Sequence, residues 1–181
     1  TTTTYNILAY GASFYCDAEL TDKATVTLDP TNPTITCPPN VSVSNDVGLC
    51  TASSVALGTP TTNDNCAVAS VTNDASEPYS IGVTTVTWTV TDSNGNTATC
   101  AQTVTVSDTE DPVFAAAPAD VTVECVGDVP AMTNLTWTDN CDGTGNVAGT
   151  DGALTGGACG GTITRTWTYT DACGNVGTTS Q

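Results

Sequence analysis

The sequence predicts an all-β protein of two tandem, disulfide-stapled β-sandwiches. Three observations carry that expectation: a two-residue periodicity, an internal repeat, and 9 cysteines in 181 residues. Residues 24–28 (ATVTL), 84–91 (TTVTWTVT), 103–106 (TVTV) and 162–170 (TITRTWTYT) alternate hydroxyl with apolar side chains. A strand buried on one face requires that alternation, and Thr, Val, Trp and Tyr favour strands. No stretch shows the 3.6-residue stripe of an amphipathic helix. Between these runs lie residues 45–48 (NDVG), 59–65 (TPTTNDN), 91–96 (TDSNGN), 138–145 (TDNCDGTG) and 170–175 (TDACGN). Their Asn, Asp and Gly supply positive φ and side-chain-to-backbone hydrogen bonds, as tight turns between strands need.

The repeat is direct. Val41-Ser42-Val43 matches Val121-Thr122-Val123, Asp64-Asn65-Cys66 matches Asp139-Asn140-Cys141, and TWTVTDSNGN (87–96) matches TWTYTDACGN (166–175). The chain length suits two sandwiches of about 100 residues or fewer. The boundary falls in residues 107–114 (SDTEDPVF), where charge clusters and Pro112 blocks further ladder pairing. The expected domains are an N-terminal extension over residues 1–31 with a donor-like strand, a first repeat over 32–109 and a second over 110–181.

Composition excludes several function classes. Asp and Glu number 19 against one Lys (Lys23) and one Arg (Arg165), with no His, for a net charge of −17. Nucleic acids and anionic membranes are held mainly through Lys and Arg, so neither is an expected partner. A hard, oxygen-seeking cation such as Ca²⁺ is favoured instead. Cysteines with almost no neighbouring cations to activate them read as disulfides, which persist in oxidising compartments, so the protein is expected to be secreted or displayed at a cell surface. No two cysteines have the C-x₂-C spacing of a zinc site. No apolar run approaches the ~20 residues of a membrane-spanning helix. The start shows no secretory leader, so a mature chain after leader removal, or a piece of something longer, is expected. Without His, a Ser or Cys nucleophile lacks its usual base, and no catalytic residues are assigned. Trp88 and Trp167 alternate with Thr and are expected in the core rather than on a carbohydrate platform.

ITCPPNVSV (35–43), GLC (48–50), TDSNGNTATC (91–100) and AQTVTVSDTEDP (101–112) resemble the hyalin-repeat (HYR) family. That resemblance implies immunoglobulin-like sandwiches, usually in tandem, in extracellular and cell-surface proteins associated with adhesion. The second repeat departs from the pattern: Ala117 stands where Cys37 would, and Cys159 and Cys173 are additions. It is similar to the DACGN-type repeats of long bacterial surface proteins.

Cys37 and Cys100 occur only in the first copy, at the starts of strands expected to be neighbours, and are expected to pair. Cys141 with Cys173 at one pole leaves Cys125 with Cys159 at the other. The alternative, Cys50 with Cys66 and Cys125 with Cys141 at identical spacing, stays open. Cys16 is the candidate for an odd thiol or an inter-subunit bridge.

The junction VSDTEDPVF is similar to the linkers by which cadherin repeats hold Ca²⁺. Asp108, Glu110 and Asp111 are expected to face Asp139, Asp142 and Asp171 there, and to bind calcium. Residues 24–28 (Ala24, Thr25, Val26, Thr27, Leu28) match the final strand of a preceding repeat, whereas the second copy's last strand looks stunted. Strand addition between copies that builds a head-to-tail filament, or direct continuation in a longer repetitive chain that forms part of a surface fibre, is therefore expected. A ligand-binding adhesin with a protein or glycan ligand, and a spacer in a larger secreted enzyme, are the alternatives.

Overall fold

The computed structural model describes residues 29–157 and 160–181, together with the backbone of 3–4 and 25–26. Cys16, Lys23, Ala24, Thr27, Leu28 and Cys159 lie outside the described residues, and with them most of the expected assembly strand. The chain is all-β, and its two repeats are immunoglobulin-like sandwiches. Its first strands are β1 (Thr3–Thr4), β2 (Thr25–Val26), β3 (Thr34–Thr36), β4 (Val41–Ser44), β5 (Thr51–Ala52), β6 (Thr61–Asn63), β7 (Val68–Asn73) and β8 (Tyr79–Ser80). They are followed by the long hairpin β9 (Gly82–Asp92) and β10 (Thr97–Ser107), then β11 (Val113–Phe114), β12 (Asn134–Asp139), β13 (Gly143–Ala148), β14 (Thr150–Asp151), β15 (Arg165–Thr170) and β16 (Val176–Ser180). Among the described residues the one helical element is a 3₁₀ turn at Val126–Asp128, and no helix is long and apolar enough to cross a membrane.

The largest sheet has the order β4-β10-β9-β7, beside the pairs β3-β6 and β5-β8. In it β4 runs parallel to β10, with Val41 opposite Val104 and Val43 opposite Val106. The later strands form the sheets β11-β12-β13 and β14-β15-β16. At the N-terminus β2 pairs antiparallel with β1.

The chain forms two compact units, Thr1–Pro39 with Gly58–Asp74 and Val86–Gln102, and Asn40–Leu57 with Ala75–Thr85 and Thr103–Gln181. In the first unit Val86, Trp88 and Val90 point inward from β9, as the Thr/apolar alternation requires. The Trp88 indole donates to Gln102 Oε1 at 3.0 Å, and Gln102 Nε2 donates to the Pro39 carbonyl at 2.6 Å. Gln102 is fully buried, and these bonds satisfy a polar group that would otherwise oppose folding.

In the second unit Trp137 and Trp167 are buried, so none of the three tryptophans forms an exposed platform. Trp137 stacks on Tyr169, with ring centroids 3.6 Å apart. The glycines of GTGNVAGT (143–150) make room for the indoles. A Cβ at Gly145 would lie 2.6 Å from the Trp137 ring, and one at Gly149 2.8 Å from Trp167.

Arg165 is buried in β15 and grips Asp151 with two bonds, Nε to Oδ1 at 2.6 Å and a terminal nitrogen to Oδ2 at 2.9 Å. It also donates to the carbonyls of Pro130 and Ala131. The hydrogen bond from Arg165 holds the Asp151 carboxyl below its ordinary range. A lowered native pKa adds stability that is present above the ordinary value of 3.8 and lost as pH falls through the native value. Asp151→Asn should therefore melt below the wild type at neutral pH, with the gap closing in acid below about pH 3.8. Thermal melts across that range check this, and a gap independent of pH would contradict the pairing.

Candidate functional site

The repeated motifs Asp-Asn-Cys and Asp-x-x-Gly-Asn are turns built around their own carboxylates. Asp139 Oδ1 accepts from the backbone N–H groups of Cys141 and Asp142, both at 2.8 Å, and Asp64 Oδ2 does the same for Cys66 and Ala67. Asp171 Oδ1 accepts from Cys173 and Asn175, while its Oδ2 takes the Asn175 amide at 2.7 Å. Asp92 repeats that pattern with Asn94 and Asn96. Gly95 and Gly174 follow at φ 89° and 97°, which a Cβ would strain.

A third carboxylate joins each pair of turns. Asp108, Asp139 and Asp171 bring carboxylate oxygens within 4.8 Å of one another in the second unit, and Asp29, Asp64 and Asp92 do so in the first. Burial pushes the Asp171 carboxyl up, but the hydrogen bonds from Asn175, Gly174 and Cys173 outweigh it and the net shift is downward. Asp92 behaves alike through Asn96, Asn94 and Gly95. Asp29 is lowered to about 2 by the Thr31 N–H, then by Cys66 and Asn65, and its carboxylate pushes the Cys66 thiol up. Arg165, the one cationic side chain among the described residues, is engaged with Asp151.

Of the six carboxylates expected to gather at the junction, the structure brings together three. Glu110 turns away to accept from the Asn45 amide at 2.9 Å and the Gly48 N–H at 2.7 Å. Asp111 accepts from the Val176 N–H at 3.2 Å. Asp142 accepts from the Tyr169 hydroxyl at 2.8 Å and the Ala172 N–H at 3.0 Å. Each of these finds a donor elsewhere in the fold, so loop anchoring accounts for them. The triad at Asp29, Asp64 and Asp92 lies outside the expected set, although the motif match of Asp64 with Asp139, and of Asp92 with Asp171, points to it.

Cys37 is bonded to Cys100, with an S–S distance of 2.01 Å and Cα atoms 5.7 Å apart. The second bridge joins Cys50 to Cys141, a pairing that was not among the expected ones. It replaces the expected pair of Cys141 with Cys173, as well as the alternatives of Cys50 with Cys66 and Cys125 with Cys141. Next to the bridge, Asn140 Nδ2 donates to the Leu49 carbonyl at 3.0 Å and to Asp108 Oδ1 at 3.3 Å, which holds together the two segments that carry Cys50 and Cys141. Cys66 instead sits beside Asp29 and Asp64. Cys66, Cys125 and Cys173 are exposed free thiols. The expected partner of Cys125, Cys159, lies outside the described residues.

A cleft of about 630 Å³ in the second unit is lined by Val121, Val123, Cys125, Ile163, Ser180 and Gln181, among others. Val121 and Val123 are 57% and 37% exposed and belong to no strand, whereas their counterparts Val41 and Val43 lie in β4, paired with β10.

Compared with known families, residues 28–106 match the HYR domain and residues 113–181 match the HYR-like domain with 4 cysteines. No curated protein matches the chain.

Proposed function

Because the chain belongs to the hyalin-repeat family, whose domains are extracellular repeat modules of a structural and adhesive kind not known as enzymes, we propose that it is a structural and adhesive unit of a head-to-tail fibre. In this reading the N-terminal strand of one copy completes the second repeat of the next. The observation that carries it is the contrast between two equivalent segments. Val41–Ser44 has a parallel neighbour in β10, whereas Val121 and Val123 line an open cleft. The occupant is residues 25–28 (TVTL) of a second copy, which repeat the alternation of residues 103–106 (TVTV) that β4 takes as its partner. Strand addition of this kind satisfies backbone groups and buries alternate side chains, and a head-to-tail contact propagates without closing.

The cysteines support the same register. Cys50 follows β4 and bonds Cys141, whose turn lies beside Asp108, just past β10. Transposed by one repeat, Cys125 lines the cleft after Val123, and Cys66 belongs to the turn beside Asp29, just past residues 25–28. Both are exposed thiols. Cys125 of one copy would then bond Cys66 of the next. Two thiols yield one disulfide, passing two electrons and two protons to an extracellular disulfide oxidant such as oxidised glutathione, which leaves as two thiols.

Peptide mapping of full-length chain oxidised with glutathione disulfide, with electron microscopy of the same sample, tests the reading. Fibres with a Cys66–Cys125 linkage between copies are expected, along with their loss on deletion of residues 1–28. Unchanged assemblies after that deletion, or a cleft filled by further residues of the same chain, would overturn assembly between copies.

A further inference from the structure

We propose that Asp108, Asp139 and Asp171 form a Ca²⁺ site. Three carboxylates meet within 4.8 Å, a separation at which like charges oppose one another unless a cation lies among them. Asp108 is only 5% exposed, and its Oδ1 takes the Glu110 N–H at 3.2 Å and the Asn140 amide at 3.3 Å. Its Oδ2 is buried without a hydrogen-bond partner among the described residues, and so is Oδ2 of Asp139. The Oδ1 atom of Asp139 is likewise consumed by its own turn. Both carboxylates therefore use one oxygen on a local anchor and keep the other in reserve, within a cluster completed by Asp171. A buried carboxylate oxygen without a partner is costly, and coordination removes that cost.

Donor chemistry selects the ion. The ligands are hard carboxylate oxygens with no imidazole among them, which disfavours zinc, and the loop setting suits the flexible six-to-eight-fold shell of Ca²⁺ better than the strict octahedron of Mg²⁺. Water and carbonyl oxygens would supply the remaining positions. The ion would tie together the turn after β10, the Asp-Asn-Cys turn and the turn between β15 and β16. The site is independent of head-to-tail assembly, since all three residues belong to one chain.

Calorimetric titration of the full chain with calcium chloride, after dialysis against chelator, tests it. Binding with Kd on the order of 10⁻⁴ to 10⁻³ M is expected, as for extracellular modules. Asp108→Asn should lower the stoichiometry by one ion per chain, and Asp139→Asn should do the same as a second variant. Thermal melts supply a readout that a merely structural carboxylate would not give. In chelator Asp108→Asn should melt no lower than the wild type, because repulsion is relieved while the amide oxygen still accepts from Glu110 and Asn140. With 10 mM calcium the wild type should gain roughly a 10- to 100-fold shift in its folding equilibrium, and the variant should lose the part due to this site. Equal stoichiometry in wild type and both variants, or a variant that melts lower or fails to fold in chelator, would overturn the proposal.

Discussion

Replacing Trp167 by alanine should cost about 3–5 kcal/mol and leave the second repeat largely unfolded at physiological temperature. Trp167 is fully buried on β15, and the chain gives up a side chain at Gly149 to receive its indole. Its Nε1 donates to the Thr133 carbonyl at 2.9 Å, tying β15 to the start of β12. Alanine would open a cavity and strand that carbonyl at once, whereas Trp167→Phe keeps most of the volume and should cost less. Urea unfolding of both variants measures the difference. A loss below about 1 kcal/mol for Trp167→Ala would mean that the core of this repeat lies elsewhere.

Removing the Cys37–Cys100 bridge should be comparably damaging. It closes a span of 63 residues, for which loop-closure entropy gives about 4 kcal/mol. The first repeat depends on that constraint because its buried apolar side chains are mostly Val, with Trp88 and Tyr79 the large rings. Cys37→Ser with Cys100→Ser should lower the melting temperature under oxidising conditions. Fluorescence melts should show the gap from wild type narrowing in reductant, and equal melting of the two oxidised proteins would show the bridge to be dispensable.

Strands were legible because alternation of Thr with Val, Trp or Tyr is a local property, carried by most of β9, by residues 103–106 of β10 and by β15. The residues flanking Trp137 were harder to read, since the glycines at 145 and 149 have meaning only once the indoles are in place. Half of the expected acidic site was visible for a similar reason. Asp139 and Asp171 belong to motifs that recur, whereas nothing local distinguishes Asp108 from Glu110, which a distant Asn45 captures. The Cys50–Cys141 bridge escaped because cysteine spacings are informative only within each copy. That bridge accompanies a contact of Asn140 with Leu49 across 91 residues of sequence, a pairing no spacing rule encodes.

The proposed head-to-tail assembly requires residues 25–28 of one copy to pair with Val121 and Val123 of another. Electron cryo-microscopy of assembled full-length chain addresses this directly. It should show those residues running parallel to 121–123 of the adjoining copy, with Cys66 next to its Cys125. A cleft standing open within the assembly, or closed by residues of its own chain, would contradict it.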